Sequence, residues 1–260
     1  MPKIDKHAAG AFCWIELGTT DQASAKNFYS SLFGWIPADF PIGPDETYTT
    51  FKLDGGDVGA AYTMRAEDQK MTPPHWNLYI AVDSADDAAR RAGELGGNII
   101  AAPFDVMTFG RMAVIQDPTG AFFCIWEARD HSGMSVAGTT GTMRWADLST
   151  GDPDRARQFY EGLFGWEIGP VPNYPPDYMV IRNGGSPIGG IPPAAFRDPE
   201  VPPHWMLFFH VGDVDGLANM AKELGGTEHL APLSMGGVRL SVLADPQGAV
   251  FSIIQPPARS

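Results

Sequence analysis

The sequence predicts an α+β fold of four β-α-β-β-β modules arranged as two domains, and three observations predict it. First, one stretch is written twice: Asp21–Trp35, DQASAKNFYSSLFGW, returns as Asp152–Trp166, DPDRARQFYEGLFGW, with Phe-Tyr and Leu-Phe-Gly-Trp at a constant offset. Second, helical spacing inside that stretch gives way to period-two alternation on either side. Third, Asp-Gly-Gly, DPTG and DPQG mark tight turns between the alternating segments.

The elements follow in order. A first strand over about residues 11–18, with WIEL at its centre, precedes Asp21, which sits where a helix N-cap belongs. Ala25, Phe28 and Leu32 form one apolar stripe of a helix over about 21–33, and Gly34 ends it. In the second copy Pro153 takes the first helical position, where its missing N–H costs nothing. GWIPADF carries a second strand, and YTTFKL and VGAAYTM form a hairpin across Asp-Gly-Gly. After the polar loop Glu67–Pro74 come HWNLYIAVD, an Ala-rich helix (Ala85–Leu95) closed by Gly96-Gly97, and three strands in NIIAAP, GRMAVIQD and AFFCIWEA. Residues 9–128 make one domain. Residues 129–141, small and Gly-rich, read as a linker in which His131 is solvated. Residues 142–257 repeat the whole pattern as a second domain.

The chain has 260 residues, 44% of them hydrophobic, and a formal charge of −13 with a pI near 4.7. That balance argues against a nucleic-acid partner, which requires a basic patch. Two cysteines are too few for a disulfide framework, so a reducing, cytoplasmic setting is expected. No run reaches membrane-spanning length. A small-molecule ligand or substrate is the expected partner, for a monomer or weak homodimer.

The Asp-led Phe-Tyr…Leu-Phe-Gly-Trp helix, PPHWNLYIAVD and DPTG followed by a strand together resemble the vicinal oxygen chelate superfamily, which groups glyoxalase I, bleomycin-resistance proteins and extradiol dioxygenases. The resemblance covers nearly the full chain and is nearest to fused two-domain glyoxylase- and hydroxylase-like proteins. It implies curved mixed sheets curling around cavities, helices packed outside them, and metal ligands projecting inward. At the implied ligand positions this chain has Trp14, Asn77 and Cys124 in the first domain and Trp145, Met206 and Ser252 in the second. An indole, an amide and a thiol do not make the three or four ligands that Zn²⁺ or Fe²⁺ wants, so no metal and no other cofactor is expected.

The histidines offer little in exchange. His75 and His204 share the inward face with Asn77 and Met206, either as ligand contacts or as caps of the strand entry. His210 lies about 20 Å further along its strand, too far to share a metal with His204. His7 falls in an untethered N-terminus and His229 near a strand start. Glu16 and Asp147 stand two residues beyond the inward Trp14 and Trp145, so both carboxylates point into the cavities. Each is a candidate general base, the competing reading being a salt bridge or hydrogen bond to a cross-strand partner, with Arg111 and Arg239 as candidates. Trp14, Tyr79, Phe122 and Trp126 line the first cavity, and Trp145, Phe208, Val250 and Ile254 the second. These aromatic walls suit a flat, conjugated ligand or simply fill the space. Cys124 has no base fixed beside it in the sequence and is not read as a nucleophile. The expected activity is that of a metal-independent lyase, isomerase or hydroxylase-like enzyme using Glu16 or Asp147; the alternative is a protein that sequesters its ligand, and the last in order is a metal-dependent glyoxalase or dioxygenase.

Overall fold

The structure is a computed structural model that describes residues 4–44, 46–172 and 176–256. Among the described residues the order β-α-β-β-β occurs four times. The first module is β1 (Phe12–Thr19), α1 (Gln22–Phe33), β2 (Ile36–Pro41), β3 (Thr47–Leu53) and β4 (Gly56–Thr63). The second is β5 (His75–Ala81), α2 (Ala85–Glu94), β6 (Asn98–Val106), β7 (Gly110–Gln116) and β8 (Phe122–Ala128). The third is β9 (Met143–Ser149), α3 (Pro153–Phe164), β10 (Glu167–Pro170), β11 (Met179–Asn183) and β12 (Ser186–Ile191). The fourth is β13 (His204–His210), α4 (Val214–Glu223), β14 (Thr227–Met235), β15 (Val238–Ala244) and β16 (Val250–Gln255).

Local chemistry starts and stops the helices. The Asp21 carboxylate accepts the Ser24 N–H at 2.9 Å, and Gly34 ends α1 at φ 73°, a left-handed conformation that a side chain would strain. Asp152 caps α3 in the same way, Ser84 caps α2 and Asp213 caps α4.

Modules pair within each half of the chain. The strand orders are β2-β3-β4-β1-β5-β8-β7-β6 and β10-β11-β12-β9-β13-β16-β15-β14, with β1 antiparallel to β5 and β9 antiparallel to β13 at the centres. The expectation of curved sheets closed around cavities is corrected here. Both are open eight-stranded mixed sheets, ending in the edge strands β2 and β6 in one and β10 and β14 in the other. The helices pack on the sheet face opposite Glu16 and Asp147, and α1 and α3 lie between the two sheets. Tyr29 lies against Trp76 of its own sheet and Phe251 of the other, with centroids 5.2 and 5.6 Å away, and Tyr160 packs likewise on Trp205 and Phe123. Phe28, Leu32 and Phe159 are buried in this layer, whereas Leu163 is half-buried.

The repeated landmarks converge on that interface. Trp76 donates its indole N–H to the Tyr29 hydroxyl at 3.1 Å, which donates to Asp245 at 3.1 Å; Trp205, Tyr160 and Asp117 repeat the relay at 3.0 and 2.9 Å. Asp117 Oδ1 also accepts the backbone N–H groups of Thr119, Gly120 and Ala121, which fixes the DPTG turn. So Phe-Tyr, PPHW and DPxG recur because each sheet's helix must be tied to the other sheet.

The segment between the sheets is not a free linker. Met134 donates its N–H to the Cys13 carbonyl at 2.7 Å, Ser135 to the Asp57 carbonyl at 2.9 Å, and His7 bonds the Met134 carbonyl at 2.8 Å. A Cβ on Gly133 would stand 2.2 Å from the Cys13 carbonyl oxygen, so only glycine permits this approach. His131 is half-buried rather than solvated, its ring edge-on to Trp14 at 4.7 Å, and His7 is tethered.

Candidate functional site

The faces of the first sheet sort by cross-strand register. A shift between Phe12 and Trp14 turns Phe12 toward the interface, where it meets Trp166 and Trp205, and leaves Trp14 and Glu16 on the opposite face. There Trp14 stands opposite Tyr79 and Glu16 opposite Asn77; Tyr79 in turn lies beside Cys124, and Ala81 beside Trp126. Across the parallel pair Gly18 neighbours Tyr62, which stands opposite Tyr48. Register therefore gathers three tyrosines, an amide and a thiol around one carboxylate.

Tyr79 donates its hydroxyl hydrogen to Glu16 Oε2 at 2.9 Å, and Tyr48 makes a second bond to the same carboxyl. The Trp14 indole N–H donates to the Tyr48 oxygen at 3.1 Å. Tyr62 bonds Asn77, and Tyr79 also contacts the Cys124 thiol. Burial pushes the Glu16 carboxyl above the usual carboxylate range, and the Tyr48 and Tyr79 donors pull it partly back. Burial, reinforced by the Glu16 charge, holds Tyr48 and Tyr79 well above the ordinary phenol value and pushes Tyr62 up to about 12, so all three are neutral donors at pH 7. The Cys124 thiol is raised by burial too and stays protonated.

The second sheet carries a reduced version. Asp147 Oδ1 accepts the Trp145 indole N–H at 2.7 Å and the Tyr178 hydroxyl at 2.6 Å. Burial outweighs both donors and pushes this carboxyl up to about 6. Opposite Asp147 stands Met206, opposite Trp145 stands Phe208, and beside Phe208 lies Ser252, whose buried hydroxyl has no hydrogen-bond partner. The phenol, amide and thiol of the first site become a phenyl ring, a thioether and an orphan hydroxyl.

The remaining sequence candidates fall outside these clusters. Arg111 stands opposite Glu127 on the interface side of its sheet and is held by Asp86 at 2.8 Å and Asp105 at 2.9 Å; Arg239 pairs with Asp215. Neither reaches Glu16 or Asp147, so the cross-strand ion pair is replaced by a tie from sheet to helix. His75 and His204 each bond the carbonyl two residues earlier, at Pro73 and Pro202, by 2.8 and 2.9 Å. Phe122 and Val250 are exposed, Ile254 is half-buried, and Trp126 is buried with its N–H on the His131 carbonyl. Sequence reasoning missed Tyr48, Tyr62 and Tyr178. Alternation in YTTFKL and VGAAYTM holds the signal for the first two, once those strands are registered on Glu16.

Two clefts of about 420 and 310 Å³ lie elsewhere. One runs along α1 to Leu224, and the other lies between the start of α2 and Phe164. Neither carries the carboxylate clusters. No group of three His, Cys, Asp or Glu side chains converges among the described residues. The donors beside Glu16 are neutral phenols, an amide and a protonated thiol, which do not suit a divalent metal.

Fold and site define a tandem glyoxalase-type protein. Residues 11–125 match the model of the Glyoxalase/Bleomycin resistance protein/Dioxygenase superfamily and residues 145–254 a Glyoxalase-like domain, and the chain belongs to that superfamily, with its small-molecule-binding pocket. It is 39% identical over 265 residues, covering 98% of both chains, to the "Putative glyoxylase CFP32" of Mycobacterium tuberculosis. It is 33% identical over 263 residues, covering 97% of this chain and 95% of the relative, to the anthracycline biosynthesis protein DnrV of Streptomyces peucetius. Among solved structures, the Mn(II)-bound glyoxalase from Novosphingobium aromaticivorans superposes with a TM-score of 0.65 at 17% identity, over 96% of this chain and 83% of that one. The 2,3-dioxygenase LapB from Pseudomonas sp. KL28 gives 0.64 at 10% identity, over 97% and 95%. These two likenesses establish the fold. Among the described residues no helix is long and apolar enough to cross a membrane.

Proposed function

We propose that the chain is a metal-independent enzyme of the lyase, isomerase or hydroxylase-like kind, acting on a small conjugated molecule held beside the first sheet, with Glu16 as its acid–base residue. The observation that carries this reading is the Glu16 carboxyl itself, raised by burial and bonded by Tyr79 and Tyr48. A carboxyl shifted toward neutrality accepts and returns a proton more readily at physiological pH than an ordinary one. Tyr62 and Asn77 supply neutral donors for a substrate oxygen, and Trp14, buried against His131, is part of the aromatic wall behind them. The Streptomyces relative is named for anthracycline biosynthesis, and a fused-ring carbonyl compound fits such a wall.

The apolar neighbours of Asp147 in the second sheet, Met206 and Phe208, favour binding or support over chemistry. A protein that only sequesters its ligand is the second reading, and those apolar neighbours are what favour it. Buried free thiols at Cys13 and Cys124 and the acidic charge suit a cytoplasmic protein without a nucleic-acid partner, working as a monomer or weak homodimer.

The test screens conjugated carbonyl and phenolic compounds for binding by tryptophan fluorescence and for turnover, then compares Glu16→Gln. Turnover lost with affinity kept supports the enzyme. Affinity without turnover in the parent protein, weakened by Trp14→Ala, would establish the sequestering reading instead.

A further inference from the structure

We propose that Trp14 is a positioning residue for Glu16: its indole N–H occupies the acceptor side of the Tyr48 hydroxyl, leaving that hydroxyl only the role of donor to the carboxylate. The inference rests on the reading of Glu16 as the acid–base group.

The argument is one of hydrogen-bond supply. An indole N–H can only donate, whereas a phenol has one hydrogen to give and also accepts. Trp14 Nε1 lies 3.1 Å from the Tyr48 oxygen, so that oxygen accepts there and must send its own hydrogen elsewhere. Its remaining bonded partner is Glu16. Without the indole, a protonated Glu16 could donate to Tyr48 and the neutral acid would be stabilised. With the indole in place, Tyr48 favours the ionised form, against the pull of burial.

The rest of the surroundings leave this as the adjustable contact. The titratable groups facing Glu16 are Tyr48 on β3, Tyr62 on β4, Tyr79 on β5 and Cys124 on β8, all held neutral, so no cation sets its ionisation. Tyr79 already donates to Oε2. The indole is itself held in place: the His131 ring stands edge-on at 4.7 Å, and Trp126 bonds the His131 carbonyl at 2.9 Å. In the second sheet the Trp145 indole N–H likewise lies 3.1 Å from the Tyr178 oxygen, and it also reaches Asp147 directly at 2.7 Å.

The experiment follows the Glu16 carboxyl by carbon NMR titration in the full-length protein, in the parent and in Trp14→Phe, Tyr48→Phe and the double variant. Phenylalanine keeps the ring against His131 and removes only the donor. Trp14→Phe should raise the Glu16 midpoint by about one pH unit. Tyr48→Phe should raise it at least as much, and the double variant should add nothing to Tyr48→Phe, since Trp14 acts through that hydroxyl. An unmoved midpoint in Trp14→Phe, or additive shifts in the double variant, overturns the proposal. If a substrate is in hand, the acid limb of the kcat/KM profile should shift upward with the NMR midpoint. The titration needs no turnover. A protein that proves inactive therefore overturns the enzymatic reading and leaves this test intact.

Discussion

The two sheets carry the same backbone and different proton chemistry, and the contrast between their carboxylates separates what the repeat preserves from what it lets drift. Tyr29 and Tyr160, Trp76 and Trp205, Asp245 and Asp117 are matched pair for pair because they bind the sheets together. On the opposite faces the matching fails. Glu16 sits among Tyr48, Tyr62, Tyr79 and Asn77, whereas Asp147 keeps Trp145 and Tyr178 and faces Met206 and Phe208. The repeated motifs therefore carry the fold, and the residues between them carry the difference in chemistry.

The largest expected effect is catalytic. Glu16→Gln should lower turnover about 10²–10⁴-fold, the usual contribution of a positioned acid–base group, while Asp147→Asn changes it only a few-fold. Steady-state assays on a substrate from the screen decide this, and loss of activity in Asp147→Asn alone would reverse the roles of the two sheets.

Next comes packing. Leu32 is buried between the sheets and its counterpart Leu163 is half-buried beside a cleft. Leu32→Ala should cost about 2–5 kcal/mol, and Leu163→Ala distinctly less, because surrounding groups and water can fill the smaller gap. Urea denaturation measures both, and equal losses would show that the interface does not distinguish the two helices.

Those helices were legible from sequence because capping, stripe and stop coincide at Asp21, Phe28 and Gly34. That Glu16 shares a strand face with Trp14, and Asp147 with Trp145, is legible from period two alone. What the sequence could not carry was long-range. Nothing local shows that α1 packs against a strand 200 residues away in the chain, or that both sheets stay open, since closure depends on accumulated twist. Arg111 and Arg239 lie on the face opposite Glu16 and Asp147, which only cross-strand register reveals. Composition alone makes His131 a solvated linker residue, because it carries no sign of Gly133 admitting the chain onto Cys13.

A third prediction separates the carboxylates by pH. Asp147 rises from 3.8 to about 6 on folding, so the folded chain holds this proton more tightly than the unfolded one. The stabilisation is complete below about pH 4 and is lost as pH rises through about 6, a change of about 3 kcal/mol. Asp147→Asn keeps an oxygen for the Trp145 and Tyr178 donors, both of which bond Oδ1, and removes the titration. Relative to the parent, the variant should therefore gain about 3 kcal/mol between pH 4 and pH 7 in urea unfolding. A constant difference across that range would show that the Asp147 carboxyl titrates like an ordinary one.

The smallest effect probes how the second site lost its phenol. Ser252 occupies beside Phe208 the place that Cys124 occupies beside Tyr79. Cys124 touches the Tyr79 hydroxyl, but Phe208 offers none, and the Ser252 hydroxyl is buried without a partner. A buried unsatisfied hydroxyl costs about 1–3 kcal/mol, so Ser252→Ala should stabilise the protein by about 1 kcal/mol after its lost packing is subtracted. Phe208→Tyr should restore the missing hydroxyl between Ser252 and Asp147, as Tyr79 stands between Cys124 and Glu16. In that background Ser252→Ala removes a satisfied bond and should destabilise by about 1 kcal/mol. The reversal of sign between the two backgrounds, read from thermal melts of the four proteins in one double-mutant cycle, is the result expected. If Ser252→Ala has the same effect in both, the phenol does not reach Ser252. The two carboxylate clusters then differ in geometry as well as in chemistry.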